Sequence, residues 1–359
     1  MKDKTMISTN SIGYFNFARG IAMICVLFFH SLLIFIPINY GGIGTNLAEG
    51  LMAMFFIISG YGFYARSSKK CIQTQFRLLL RPYWITACLV IFAKLLLAVI
   101  EKRSFIEFGS QYIFSYIFAI NEGWEGTILG LEVDNVAMFW FFWSLFGGWI
   151  IYNKIASVRR AKIRYLSVAV CVVLGWLLTC VSNVWFYCIP NMLIAVGYLF
   201  IGHQMREFAF LERDKYPVCI FVGAIILAVV TLFFGSVHMY QNEWKLGPID
   251  ILGTGCIGIL YIIFFTWMRR HLNENFMVRV VNNIGFNTLW ILCIHAFEEK
   301  VFPWYRLRYL FMEKEIFAVS VCFILRCMVI FAGLKFLEFS RKMIKRRKRR
   351  IRSSQIIIE

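Results

Sequence analysis

Charge is what this chain has least of. Asp, Glu, Lys and Arg make up only 16% of its 359 residues, where a soluble domain carries about a quarter. Acids are scarcer still, 20 against 38 Lys and Arg. With 60% of the residues hydrophobic and only six prolines, a water-soluble globule is excluded, because no core of this length hides so much apolar surface. The eleven cysteines include no C-x-x-C and no Cys/His pairing at zinc-like spacing, so no metal and no disulfide framework are expected. Cys25, Cys88, Cys171, Cys256, Cys293 and Cys322 fall inside apolar runs and read as small packing residues. There is no internal repeat, linker or low-complexity block, and no soluble domain of useful size.

What is present is a succession of apolar windows about 20 residues long, the length that crosses a bilayer. They lie near 14–37, 47–65, 83–100, 136–153, 165–182, 184–203, 217–235, 248–267, 284–299 and 316–339. The stretch 105–120 is amphipathic, suited to the interface or a re-entrant segment. The first window follows Lys2 and Lys4 like a signal peptide, yet it is too long, carries Arg19 and His30, and lacks a small-x-small cleavage site; it reads as a retained helix.

Basic residues provide the orientation. Placing both termini in the cytoplasm puts 27 Lys and Arg on the inner side, 7 outside and 4 within spans, the asymmetry expected of cytoplasmic loops. The expected fold is therefore all-α and polytopic, with about ten transmembrane helices, N-in and C-in. Residues 1–340 form the transmembrane domain and 341–359 a basic cytoplasmic tail that suits anionic lipids. The net charge of +18 is spread over these loop clusters, so membrane lipid and not nucleic acid is the expected partner. The 18% aromatic content fits interfacial belts of Trp and Tyr.

Chemistry concentrates in the first window. Arg19 and His30 are eleven steps apart in ARGIAMICVLFFHS, which places them within about 20° of one helix face and about 16 Å apart along the axis. Ionisable groups at such depth usually face a cavity or the bundle interior. Taken alone, Arg19 also suits a snorkelling anchor and His30 an inter-helix hydrogen-bond partner. Glu49, near the start of the second window, is a candidate to orient His30, and Glu122, Trp124 and Glu125 in the acidic 101–135 loop suit sugar contact.

With R-x10-H in the first span, FFIISGY (Phe55 to Tyr61) in the second, RLLLRPY (Arg77 to Tyr83), WFFWSLF (Trp140 to Phe146), IPNMLIAVGYLFIGHQM (Ile189 to Met205) and LWILCIH (Leu289 to His295), the chain resembles the acyltransferase 3 family of bacterial membrane O-acyltransferases along most of its length. Two departures stand out. The family's paired basic motif has two intervening residues where Arg77 and Arg81 have three, and Gly148 stands where one subgroup carries Glu.

The resemblance implies a multi-pass protein of the bacterial cytoplasmic membrane. It implies transfer of an acyl group, commonly acetyl, from cytoplasmic acyl-CoA to a hydroxyl of a cell-surface polysaccharide or lipid-linked glycan. Imidazole serves as base or nucleophile in such a transfer near neutral pH, and the resemblance supports His30 in that role, with Arg19 and His295 assisting. Arg77 and Arg81, four residues apart, suit the CoA phosphates because a guanidinium pairs with phosphate oxygens. Ordinary flanking charge is the bland alternative there. Ser59, with Gly60 and Gly62, reads mainly as close helix packing and secondarily as a lining of the donor path. The competing class is a multispan transporter of a glycan precursor or small solute, since buried His and Arg also line permeation paths.

Overall fold

The structure is a computed structural model describing residues 4–36, 42–102, 104–121, 127–128, 131–212, 218–311 and 314–356. In chain order it contains α1 (Lys4–Phe35), α2 (Ile43–Tyr61), α3 (Ser68–Gln75), a π-helical turn (Phe76–Leu80), α4 (Arg81–Ile100) and α5 (Phe105–Phe118). A two-stranded ribbon follows, β1 (Thr127–Ile128) with β2 (Leu131–Glu132), and then α6 (Trp140–Ala156), α7 (Ala161–Val181), α8 (Ile189–Glu207) and α9 (Val218–Phe234). The ribbon β3 (Val237–His238) with β4 (Glu243–Trp244) leads into α10 (Pro248–His271), α11 (Phe276–Phe286), α12 (Thr288–Val301), α13 (Leu307–Leu310) and α14 (Glu315–Ile356).

The fold is all-α and membrane-spanning, as the apolar windows require. Among the described residues seven helices are long and apolar enough to cross a bilayer, or eight if the bent pair α11–α12 is one span. A helix lies at every one of the ten expected windows. Two of them, α6 and α9, have only 17 residues, about 25 Å against a hydrocarbon core of about 30 Å. The window at 284–299 is not a straight span: α11 and α12 meet at a 74° bend. There Asn287 caps α11 through its backbone N–H to Asn283 and Ile284, and its side chain donates to the Asn283 carbonyl. The 105–120 stretch is α5, which folds back along α4 so that the Tyr83 hydroxyl donates to the Tyr116 carbonyl at 2.6 Å. α14 runs 42 residues without interruption through Arg341.

Loops fall into two sets that touch within a set. At one end Asn121 donates to Asn183 and Tyr240 carbonyls, Lys300 reaches Asp134, and Arg308 donates to the Phe35 carbonyl. At the other, Asn153 clasps the Arg66 backbone, Arg206 donates to Tyr61 and Phe63 carbonyls, and Arg270 donates to Leu211. The motif segments of α2, α6 and α8 form the packing centre between these ends. The Phe56 ring lies 4.8 Å from Phe141 and 6.2 Å from Tyr198. A Cβ on Gly60 would strike the Leu199 backbone and one on Gly202 the Ile57 carbonyl, so glycine sets the approach of α2 and α8. Likewise Gly285 near the end of α11 abuts the Asn16 carbonyl in the first half of α1, bringing the two helices backbone to backbone there.

Candidate active site

His30 and His295, 265 positions apart in the chain, meet inside the bundle. α1 carries His30 on its second half, and the bend at Asn287 turns α12 so that His295 faces it. Their rings contact edge to face with centroids 5.2 Å apart. Between them stands Glu299, one turn beyond His295 on α12. Its Oε2 lies 3.8 Å from His30 Nδ1 and 3.8 Å from His295 Nε2. One carboxylate thus faces two imidazoles. His30 and Glu299 are each 30% exposed, whereas His295 is fully buried.

Behind His295 the polar chain continues through buried residues. His295 Nδ1 is 2.5 Å from Glu298 Oε1, and the other oxygen of Glu298 accepts the Trp304 indole N–H. Arg326 of α14 supplies the countercharge, with Nε 3.5 Å from Glu298 Oε1 and its guanidinium 5.7 Å from the Trp304 ring. Glu298 and Arg326 are 0% and 1% exposed. A carboxylate at Nδ1 orients the His295 ring and leaves Nε2 turned to Glu299. A buried charge is tolerable only when so paired.

His30 opens onto a cavity of about 250 Å³, smaller than the roughly 300–1,000 Å³ of sites that engulf a drug-sized ligand. Its walls come from α1, the first half of α2, Met138 and Trp140 at the head of α6, Leu292 and Glu299 of α12, and His238 and Tyr240 of the β3–β4 ribbon. Thr45 and Glu49 face it from α2. The ribbon roofs the cavity and is held from within. Asn46 accepts from Val237 N–H, Glu49 Oε1 accepts from Met239 N–H at 3.2 Å, and Asn191 donates to the Met239 carbonyl. His238 is 2% exposed, and burial holds its imidazole below the ordinary value, favouring the neutral ring.

The other expected site residues lie elsewhere. Arg19 is on the same helix as His30, about 16 Å away, and no hydrogen bond or ion pair joins it to another described residue. Arg77 and Arg81 line a separate surface groove with Ile72, Gln73 and Phe76. The π-helical turn Phe76–Leu80 contains Arg77 and is followed directly by Arg81. A π turn is one residue wider than an α turn and often marks a functional site, so it absorbs the additional residue in the Arg77–Arg81 spacing. Ser59 lines neither groove nor cavity. Glu49 shares the cavity with His30 without bonding to it, and the carboxylate beside His30 is Glu299. Sequence reading missed Glu299, although its signal was available: in HAFEE it follows His295 by four, hence on the same helix face. Glu122, Trp124 and Glu125 lie outside the described residues.

Three ligand-type side chains, His30, His295 and Glu299, hold donor atoms all within 4.8 Å of one another. No Cys/His spacing announced this grouping. Chemically it offers an accessible imidazole for proton transfer, a carboxylate to stabilise the imidazolium, and a second imidazole backed by a buried ion pair.

A family model described as an acyltransferase domain matches residues 12–334. No curated protein and no solved structure matches the chain.

Proposed function

The chain belongs to the acyltransferase 3 family, and from that premise we propose that it transfers an acyl group, commonly acetyl, from cytoplasmic acyl-CoA to a hydroxyl of a surface polysaccharide or lipid-linked glycan. The reading places it in a bacterial cytoplasmic membrane with both termini inside. The cavity then lies toward the outer face and the Arg77–Arg81 groove toward the inner one.

In this reading His30 is the base. The acceptor hydroxyl attacks the thioester carbonyl carbon as His30 takes its proton. The new C–O bond forms, the C–S bond breaks, and the departing CoA thiolate takes the proton back from the imidazolium. Glu299 stabilises the transient positive charge on His30, and Glu298, paired with Arg326, fixes the His295 ring beside Glu299. Arg77 and Arg81 take the phosphates of CoA, whose pantetheine arm would run between helices past Arg19 toward His30.

The observation that carries the reading is that His30, within a largely apolar first helix, opens onto a cavity and has a carboxylate 3.8 Å from its ring. A packing histidine has no need of either. The test is acetyl incorporation into envelope glycan, with CoA release by purified protein, for His30→Ala at matched membrane expression. Loss of a general base costs about 10²–10⁴-fold. Activity within threefold of wild type would remove the assignment. A transporter would show substrate movement with no acetyl-CoA consumption.

A further inference from the structure

The cavity has a second polar wall that the transfer chemistry at His30 does not use. It is formed by the first two turns of α2 and the ribbon above them. Glu49 is 6% exposed. Its Oε1 is occupied by the Met239 N–H, but its Oε2 is buried with no hydrogen-bond partner. One turn earlier on the same face, Thr45 is also 6% exposed, and its Oγ1 too is buried without a partner. Both side chains line the cavity, as do Trp140, His238 and Tyr240.

Buried polar atoms in native proteins nearly always find a partner, and leaving one unmade is costly. Two such atoms four residues apart, lining one cavity, mark a place that something else completes. A carboxyl oxygen with a lone pair to offer asks for an O–H or N–H donor. A threonine hydroxyl both gives and takes. Vicinal hydroxyls of a sugar ring supply that complement. The Trp140 and Tyr240 rings lining the same cavity provide an amphipathic surface against which the C–H face of a pyranose packs.

Resting on the acyltransferase reading, we propose that Glu49 and Thr45 form an acceptor subsite that holds hydroxyls neighbouring the one acylated. Glu49 here has two tasks: Oε1 anchors the roof and Oε2 receives the sugar. It is a binding residue, distinct from the proton-transfer group across the cavity.

The experiment uses purified full-length protein in nanodiscs with methyl α-glucopyranoside as the probe. Sugar binding is read by tryptophan fluorescence and, separately, CoA release from acetyl-CoA is followed with water as acceptor. Glu49→Gln keeps an oxygen for the Met239 N–H while replacing the free oxygen with an amide. It should weaken glucoside binding about tenfold, the cost of a buried hydrogen bond lost. His30→Ala should bind the glucoside as wild type does. Thr45→Val leaves the Glu49 anchor intact and should weaken binding severalfold, so it reads the subsite even if Glu49→Gln misfolds. Equal glucoside affinity in wild type and both α2 variants overturns the proposal. Glu49-dependent binding without any acetyl-CoA turnover would instead sink the acyltransferase reading and leave the subsite standing.

Discussion

Replacing Glu299 by Gln changes one charge and almost no volume. In wild type the carboxylate lies 3.8 Å from His30 Nδ1. When His30 takes a proton in the transition state, an imidazolium–carboxylate attraction appears that the ground state lacks, so its loss falls on the chemical step. At 3.8 Å it is worth about 4 kcal/mol at an effective dielectric near 20 and about 2 kcal/mol at twice that. Both groups are 30% exposed, so solvent weakens the upper figure. A range of about 2–4 kcal/mol corresponds to roughly 30- to 1,000-fold in kcat. The assay is CoA release by purified protein under saturating donor and acceptor, with Glu299→Asp as a companion that keeps charge at a longer reach. The expected pattern is a fall in kcat with donor KM little changed, and partial recovery in the Asp variant. A Gln variant with kcat within threefold of wild type, in a protein that unfolds at the wild-type temperature, would refute the charge-stabilisation argument.

Arg326→Met should destabilise the protein by about 3–5 kcal/mol, because it strands Glu298 as a buried charge; Arg326→Met with Glu298→Gln should recover much of that, read as a thermal midpoint in detergent. Arg77→Ala should raise donor KM about tenfold without moving acceptor KM, whereas deleting Leu78 should be tolerated, because it returns the π turn to an α turn with two residues between the arginines. Added Zn²⁺ should inhibit turnover by taking the lone pairs of His30 and His295, whose donor atoms lie with that of Glu299 inside 4.8 Å; a chelator should relieve it, and His295→Ala should weaken it.

The membrane class was legible because a hydrophobic run of bilayer length has one economical home. Helix ends were readable where chemistry marks them: α7 stops at Val181, before the polar Ser182–Asn183 break, and α10 starts at Pro248, just after Gly247 with its φ of +59°. The bend at Asn287 was not read, because 284–299 carries no proline, and Gly285 and Asn287 are also compatible with a straight span. What fixes it is tertiary, the contact of Gly285 with α1. The meeting of His30 with His295 was legible only as two histidines at similar depth. Periodicity reports the face of one helix and says nothing of which helix lies opposite. Arg326 shows the same blindness: within α14 it looks like one more charge in a span, and only its partner Glu298, 28 residues earlier, explains it.

The β3–β4 ribbon has only four residues in strand, yet its position is dictated from elsewhere. Asn46 and Glu49 of α2, Asn191 of α8, and Asn121 before β1 each grip its backbone. The contour it presents to an incoming molecule therefore belongs to those four positions more than to its own residues. Anyone wishing to retarget the protein by grafting a foreign ribbon would have to transplant that scaffold of amides and one acid along with it; otherwise the graft would arrive without its moorings.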